Sequence, residues 1–145
     1  RQRQMCIRDS LLLADLERVW LQQLQALLDE GATPVLFTSR GELRCASEQE
    51  GRRLSSALAE LMGRLASALA PDLGYLISKG GITTQTLLAR GLALESVQLE
   101  GQLLPGLSLV RPSAGPCSGL PILTFPGNLG GADTLRDAWQ RMESS

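Results

Sequence analysis

Apolar residues follow two rhythms along this chain. From Leu11 to Glu30, residues Leu13, Leu16, Trp20, Leu24 and Leu27 recur at spacings of three and four, which is one face of a helix. Gly31 stands where a helix C-terminus favours glycine. From Ser47 to Ala70, Leu54, Leu58, Leu61, Leu65 and Leu69 form a second stripe, broken by Pro71-Asp72. A short helix is expected after the segment Tyr75 to Thr84, ending at Gly91, and a final helix over Thr134 to Met142, with Leu135, Ala138, Trp139 and Met142 inward and Asp133 as its cap. Between these segments the rhythm shortens. Pro34 to Thr38 and Tyr75 to Ile77 are short apolar runs bounded by turn residues, as buried strands are. Ser96 to Glu100 and Leu107 to Val110 alternate on either side of Pro105-Gly106, which predicts a hairpin or meander. Leu120 to Phe125 is the last predicted strand. The pattern predicts an α/β domain of three layers, with a mixed, mostly parallel sheet and helices on both faces.

Two of the strands run into glycine-rich turns that open helices. The first is Tyr75-Leu76-Ile77-Ser78-Lys79-Gly80-Gly81-Ile82-Thr83-Thr84, and the second is Phe125-Pro126-Gly127-Asn128-Leu129-Gly130-Gly131. Strand, glycine turn, helix start is the arrangement that offers backbone N–H groups to an anion. Neither turn has the spacing of a Walker A loop or of G-x-G-x-x-G. Taken alone, the first turn fits two descriptions: a phosphate-binding turn, or an ordinary tight turn with a threonine cap. Two such turns at one sheet edge could clasp a ligand from both sides, and the pairing favours the phosphate reading. Lys79 is the chain's only lysine and stands at the strand end, where it could meet a phosphate or lie in solvent.

Composition narrows the chemistry. With 145 residues the chain is long enough for one domain with a real core. It contains no histidine, which removes Ser-His-Asp and Cys-His catalysis and histidine metal sites from this chain. Cys6, Cys45 and Cys117 are far apart and form no C-x-x-C pair, so neither a zinc site nor a disulfide framework is indicated. No metal-ligating set and no catalytic base can be named. A reduced, cytoplasmic setting is expected, with no membrane partner. The net charge of −1 carries no basic stripe, so nucleic acid is not an expected partner. The chain should therefore not retain duplex DNA at physiological salt, and a salt-sensitive gel shift at micromolar protein would contradict this.

The two turns, in this order, resemble the C-terminal nucleotide-binding domain of the four-carbon acid sugar kinase family. The resemblance is carried by Ser78-Lys79-Gly80-Gly81-Ile82-Thr83-Thr84, by the tract from Val97 through Gly101-Gln102-Leu103-Leu104-Pro105-Gly106, by Phe125-Pro126-Gly127-Asn128-Leu129-Gly130, and by the Thr38-Ser39-Arg40 strand tip. It spans most of Leu11 to Trp139. It implies an ATP-dependent kinase that phosphorylates threonate, erythronate or 3-oxo-tetronate, with Mg2+ expected from the reaction class. It assigns Gly80, Gly81, Ile82 and Thr83 to one side of ATP and Gly127 to the other. Many members have an acidic residue where this chain has Ile82. Isoleucine cannot ligate a metal, so no magnesium role carries over to that position.

The resemblance also implies a missing part. Its members have an N-terminal domain that binds the sugar acid and is expected to supply the base, and a Gly/Ser-rich strand tip that opens the nucleotide domain. The expected organisation is therefore a tail over residues 1–10, which look like translated adapter sequence, and a nucleotide-binding domain over residues 11–145. The fragment alone is expected to be inactive, with its substrate domain missing in cis. A different class remains open beside this one: a non-catalytic Rossmann-like domain that binds another phosphorylated metabolite, or a purely structural domain.

Overall fold

The computed structural model describes residues 2–37 and 47–144. The chain forms two compact units, Arg1–Leu61 and Met62–Ser145. Among the described residues no helix is long and apolar enough to cross a membrane.

The first unit is helical. Helix α1 runs Gln2–Asp29, further back than the expected start at Leu11. Residues 2–10 hold no glycine or proline and several good helix formers, so nothing local stops propagation. At its C-terminus Gly31 has φ 76°, the Gly31 N–H bonds the Leu28 carbonyl and the Ala32 N–H bonds that of Leu27. This bond pair is a Schellman motif, and it meets the expectation at Gly31. The expected strand over Pro34 to Thr38 is corrected: residues 34–37 form no strand, and Val35 and Phe37 are 68% and 78% exposed. A strand needs a neighbour to pair its backbone groups, and among the described residues this unit holds only helices. Thr38, with the Ser39-Arg40 tip and Cys45, lies outside the described residues. Helix α2, Glu48–Leu69, runs through the boundary between the units. Ser47 caps it, its hydroxyl accepting from the Glu50 N–H at 3.1 Å.

The second unit holds the sheet. Its strands are β1 (Leu76–Lys79), β2 (Val97–Leu104), β3 (Leu107–Pro112) and β4 (Ile122–Phe125), in the order β1-β4-β3-β2. β1 and β4 are parallel, while β4–β3 and β3–β2 are antiparallel. The sheet is mixed as expected, but mainly antiparallel rather than mostly parallel. The hairpin at Pro105-Gly106 is legible; that it extends the same sheet from β4 is not, and this placement makes two of the three pairings antiparallel.

Helices cover both faces, which gives the expected three layers. On one face Ala66 and Ala70, at and just beyond the end of α2, pack with Leu87, Leu92, Val110, Leu120 and Ile122. On the other, Ala138 and Met142 of helix α4 (Thr134–Glu143) pack with Leu107, Leu123 and Phe125. Consecutive residues Ile122 and Leu123 belong to opposite clusters, which is the strand period of two. Of the inner face expected for α4, Ala138 and Met142 are buried; Leu135 and Trp139 are half out. Asp133 occupies the N-cap position without a side-chain cap bond and pairs instead with Arg136 at 3.1 Å.

Candidate functional site

β1 and β4 end together. Their register places Ser78 beside Thr124 and Lys79 beside Phe125. The ladder continues one step, with the Gly80 N–H donating to the Phe125 carbonyl at 2.9 Å. The two glycine turns therefore leave the sheet side by side at its carboxyl edge, where open α/β sheets bind ligands. A Cβ built on Gly127 would stand 3.7 Å from the Gly80 Cα, so the two backbones are close neighbours.

The first turn is built on Gly80, whose φ of 105° is a conformation that side chains disfavour. Helix α3, Gly81–Thr86, starts at once and continues through a wider, π-helical turn over Leu87–Gly91. Gly80 is its N-cap, and no side chain caps it. This overturns the threonine-cap reading. Thr84 instead turns inward: its hydroxyl donates to the Ser78 carbonyl at 3.2 Å. A hydroxyl has one proton, so Ser78, only 4% exposed, donates its own to Thr84 Oγ1 at 2.9 Å. The pair straps the first turn of the helix to the end of β1. The N–H groups of Gly81, Ile82 and Thr83 have no acceptor among the described residues. The Ile82 side chain is 67% exposed, outside both core clusters.

The second turn is held from two sides. Its reverse turn closes with the Leu129 N–H on the Pro126 carbonyl at 3.2 Å. Leu129 packs into the α4-side core, with a methyl 2.7 Å from where a Cβ on Gly106 would sit. Lys79 reaches across from β1. Its Nζ lies 3.9 Å from the Phe125 ring centroid and donates to the carbonyls of Gly127 at 3.1 Å and Pro126 at 3.5 Å. Lys79 is exposed, as the solvent reading from the sequence expected, but its ammonium is also engaged with the neighbouring turn, which the sequence did not suggest. The N–H groups of Gly127 and Asn128 have no acceptor among the described residues.

The site is thus a pair of adjoining turns on which the N–H groups of Gly81, Ile82, Thr83, Gly127 and Asn128 have no acceptor among the described residues, with glycine at both positions where the backbones approach, 80 and 127. Residues 6–135 match the model of a family described as the nucleotide-binding C-terminal domain. The chain belongs to that family. As a nucleotide-binding C-terminal domain it also has solved structural neighbours. One is a Bordetella bronchiseptica protein described as a domain of unknown function (DUF1537), with bound citrate, as a domain-swapped dimer. It is 23% identical, has a TM-score of 0.64, and is matched over 86% of this chain and 30% of its own. A second crystal form of it gives 21% identity and a TM-score of 0.62, over 83% of this chain and 30% of its own. The chain spans about 30% of the length of these neighbours, and the likeness shows the shared fold. No curated protein matches the chain.

The sequence reading named Gly80, Gly81, Ile82, Thr83 and Gly127, and the structure brings them together at one edge. It missed that the Asn128 N–H has no acceptor among the described residues and that Lys79 bonds the second turn. The signal for Lys79 was its singularity, but its target depends on the β1–β4 register, which no local pattern encodes.

Proposed function

We propose that this chain is the ATP-binding half of a kinase that phosphorylates a four-carbon sugar acid of the threonate, erythronate or 3-oxo-tetronate type. One observation supports the nucleotide site most: two glycine turns meet at the ends of the parallel pair β1 and β4, with unclaimed N–H groups on both. Phosphate oxygens are the acceptors such donors suit. In this reading Gly80, Gly81, Ile82 and Thr83 hold one side of the phosphates and Gly127 the other. Helix α3 adds the positive end of its dipole. Phosphoryl transfer rests on positioning and on stabilising charge, and fixed backbone amides contribute to the second.

Residues 80–84 and 126–131 contain no carboxylate, so Mg2+ is assigned to none of them. The metal would travel with the nucleotide and find any protein ligands elsewhere. The acceptor sugar acid and the base belong, in this proposal, to a domain upstream in the full-length cytoplasmic enzyme, with residues 1–10 a non-native tail.

The test is direct. The isolated chain, assayed for ADP formation with threonate, erythronate and 3-oxo-tetronate, is expected to turn over none of them, because in this proposal the upstream domain positions the acceptor. The chain joined to its recovered upstream reading frame is expected to turn over one. An isolated chain with sugar-acid kinase activity, or a full-length protein with none, would contradict the proposal.

A further inference from the structure

The reverse turn Pro126-Gly127-Asn128-Leu129 has a sequence compatible with two turn types, of which the structure shows one. Its closing bond runs from the Leu129 N–H to the Pro126 carbonyl. Neither Gly127 nor Asn128 has positive φ, so the turn is of the type I class. Type II keeps the same closing bond but rotates the central peptide by roughly half a turn and needs positive φ at its third residue. Asparagine, here Asn128, is one of the residues that accept that conformation. The turn's own sequence therefore leaves the Gly127–Asn128 peptide free to flip.

A group outside the turn decides the matter. The Lys79 ammonium holds the Gly127 carbonyl at 3.1 Å, in a charge-assisted hydrogen bond. Contact with the Phe125 ring at 3.9 Å fixes where that ammonium sits. A trans peptide sets its N–H opposite its C=O, and there is no cis bond among the described residues. With the Gly127 carbonyl on Lys79, the Asn128 N–H must face away from the positive charge. The flipped peptide would turn that N–H toward the ammonium and leave a carbonyl oxygen on the opposite side, where it would repel an anion.

We propose that Lys79 is a positioning residue: it locks the Gly127–Asn128 peptide in the orientation that presents the Asn128 N–H to the nucleotide's phosphates. This rests on the nucleotide reading of the site given above. In it Lys79 acts through the turn and does not itself touch a phosphate.

The experiment uses the whole chain, labelled with 15N, as wild type, Lys79→Met and Lys79→Arg. The nuclear Overhauser effect between the Gly127 Hα and the Asn128 amide proton is weak in a type I turn and strong in type II. It is expected to be weak in the wild type and in Lys79→Arg, and to strengthen in Lys79→Met. Titration with ADP should show affinity lower by about tenfold in Lys79→Met, the scale of one charge-assisted bond, and largely restored in Lys79→Arg. An unchanged Overhauser effect in Lys79→Met overturns the lock, even if affinity falls, because the ammonium would then act on the ligand directly. A flipped peptide with undiminished affinity overturns it as well. If the wild type binds no nucleotide, the reading of the site fails instead, and the Overhauser effect alone decides whether Lys79 sets the peptide.

Discussion

Replacing Gly81 by valine is expected to lower nucleotide affinity at least tenfold, about 1.4 kcal/mol, and to leave the fold intact. A Cβ built on Gly81 meets nothing within 4 Å beyond its chain neighbours and its own helix backbone, and the residue is not in a positive-φ conformation. The protein therefore has room for a larger side chain there, and in the proposed site a branched one would compete with the phosphate for the space beside the turn. Gly80 would be a poorer probe, since its φ of 105° strains any side chain and confuses folding with binding. The comparison to make is the ADP dissociation constant beside the denaturant midpoint. An unchanged dissociation constant would remove Gly81 from the site. A lowered midpoint would show that the space has a structural occupant.

The largest expected effect on stability lies behind the site. A Cβ on Gly91 would stand 2.6 Å from the Gly63 carbonyl oxygen and 2.7 Å from its Cα. The atoms it meets are backbone, so no rotamer change relieves the clash. Gly91 closes the π-helical turn that continues α3, and Gly63 lies on α2, whose end packs on the same sheet face. Overpacking of this kind costs up to about 3 kcal/mol, and alanine's better helix propensity offsets about 1 kcal/mol. Gly91→Ala should thus destabilise the protein by about 2 kcal/mol in denaturant unfolding. Gly63→Ala should cost less, since its Cβ would sit 3.3 Å from the Gly91 Cα. Equal or raised stability in Gly91→Ala would show that the two helices are not held this close.

These cases show where the sequence was readable. The stripe of α2, the Schellman glycine at Gly31 and the Pro105-Gly106 hairpin are local, with period and turn residue carrying the information. The two glycine turns were legible for the same reason, since strand, glycines and helix start follow one another in the sequence. Facts that depend on a distant partner were not. The apolar run at 34–37 reads as a strand, yet among the described residues its own unit holds no strand to pair with. The sheet reads as mostly parallel because strands and helices alternate, while the hairpin's attachment to β4 reverses the balance. Asp133 sits in a capping position, but its carboxylate is drawn to Arg136. Pattern shows which residues seek burial or charge, and topology decides what meets them.

The central claim is that both glycine turns hold one nucleotide through backbone amides. Titration of the 15N-labelled chain with ATP, followed by amide chemical shifts, tests it most directly. The account predicts that the largest shifts fall together, with a single dissociation constant, on Gly81, Ile82 and Thr83 of the first turn and on Gly127 and Asn128 of the second. Shifts confined to one turn, or centred away from both while these amides stay still, would contradict it.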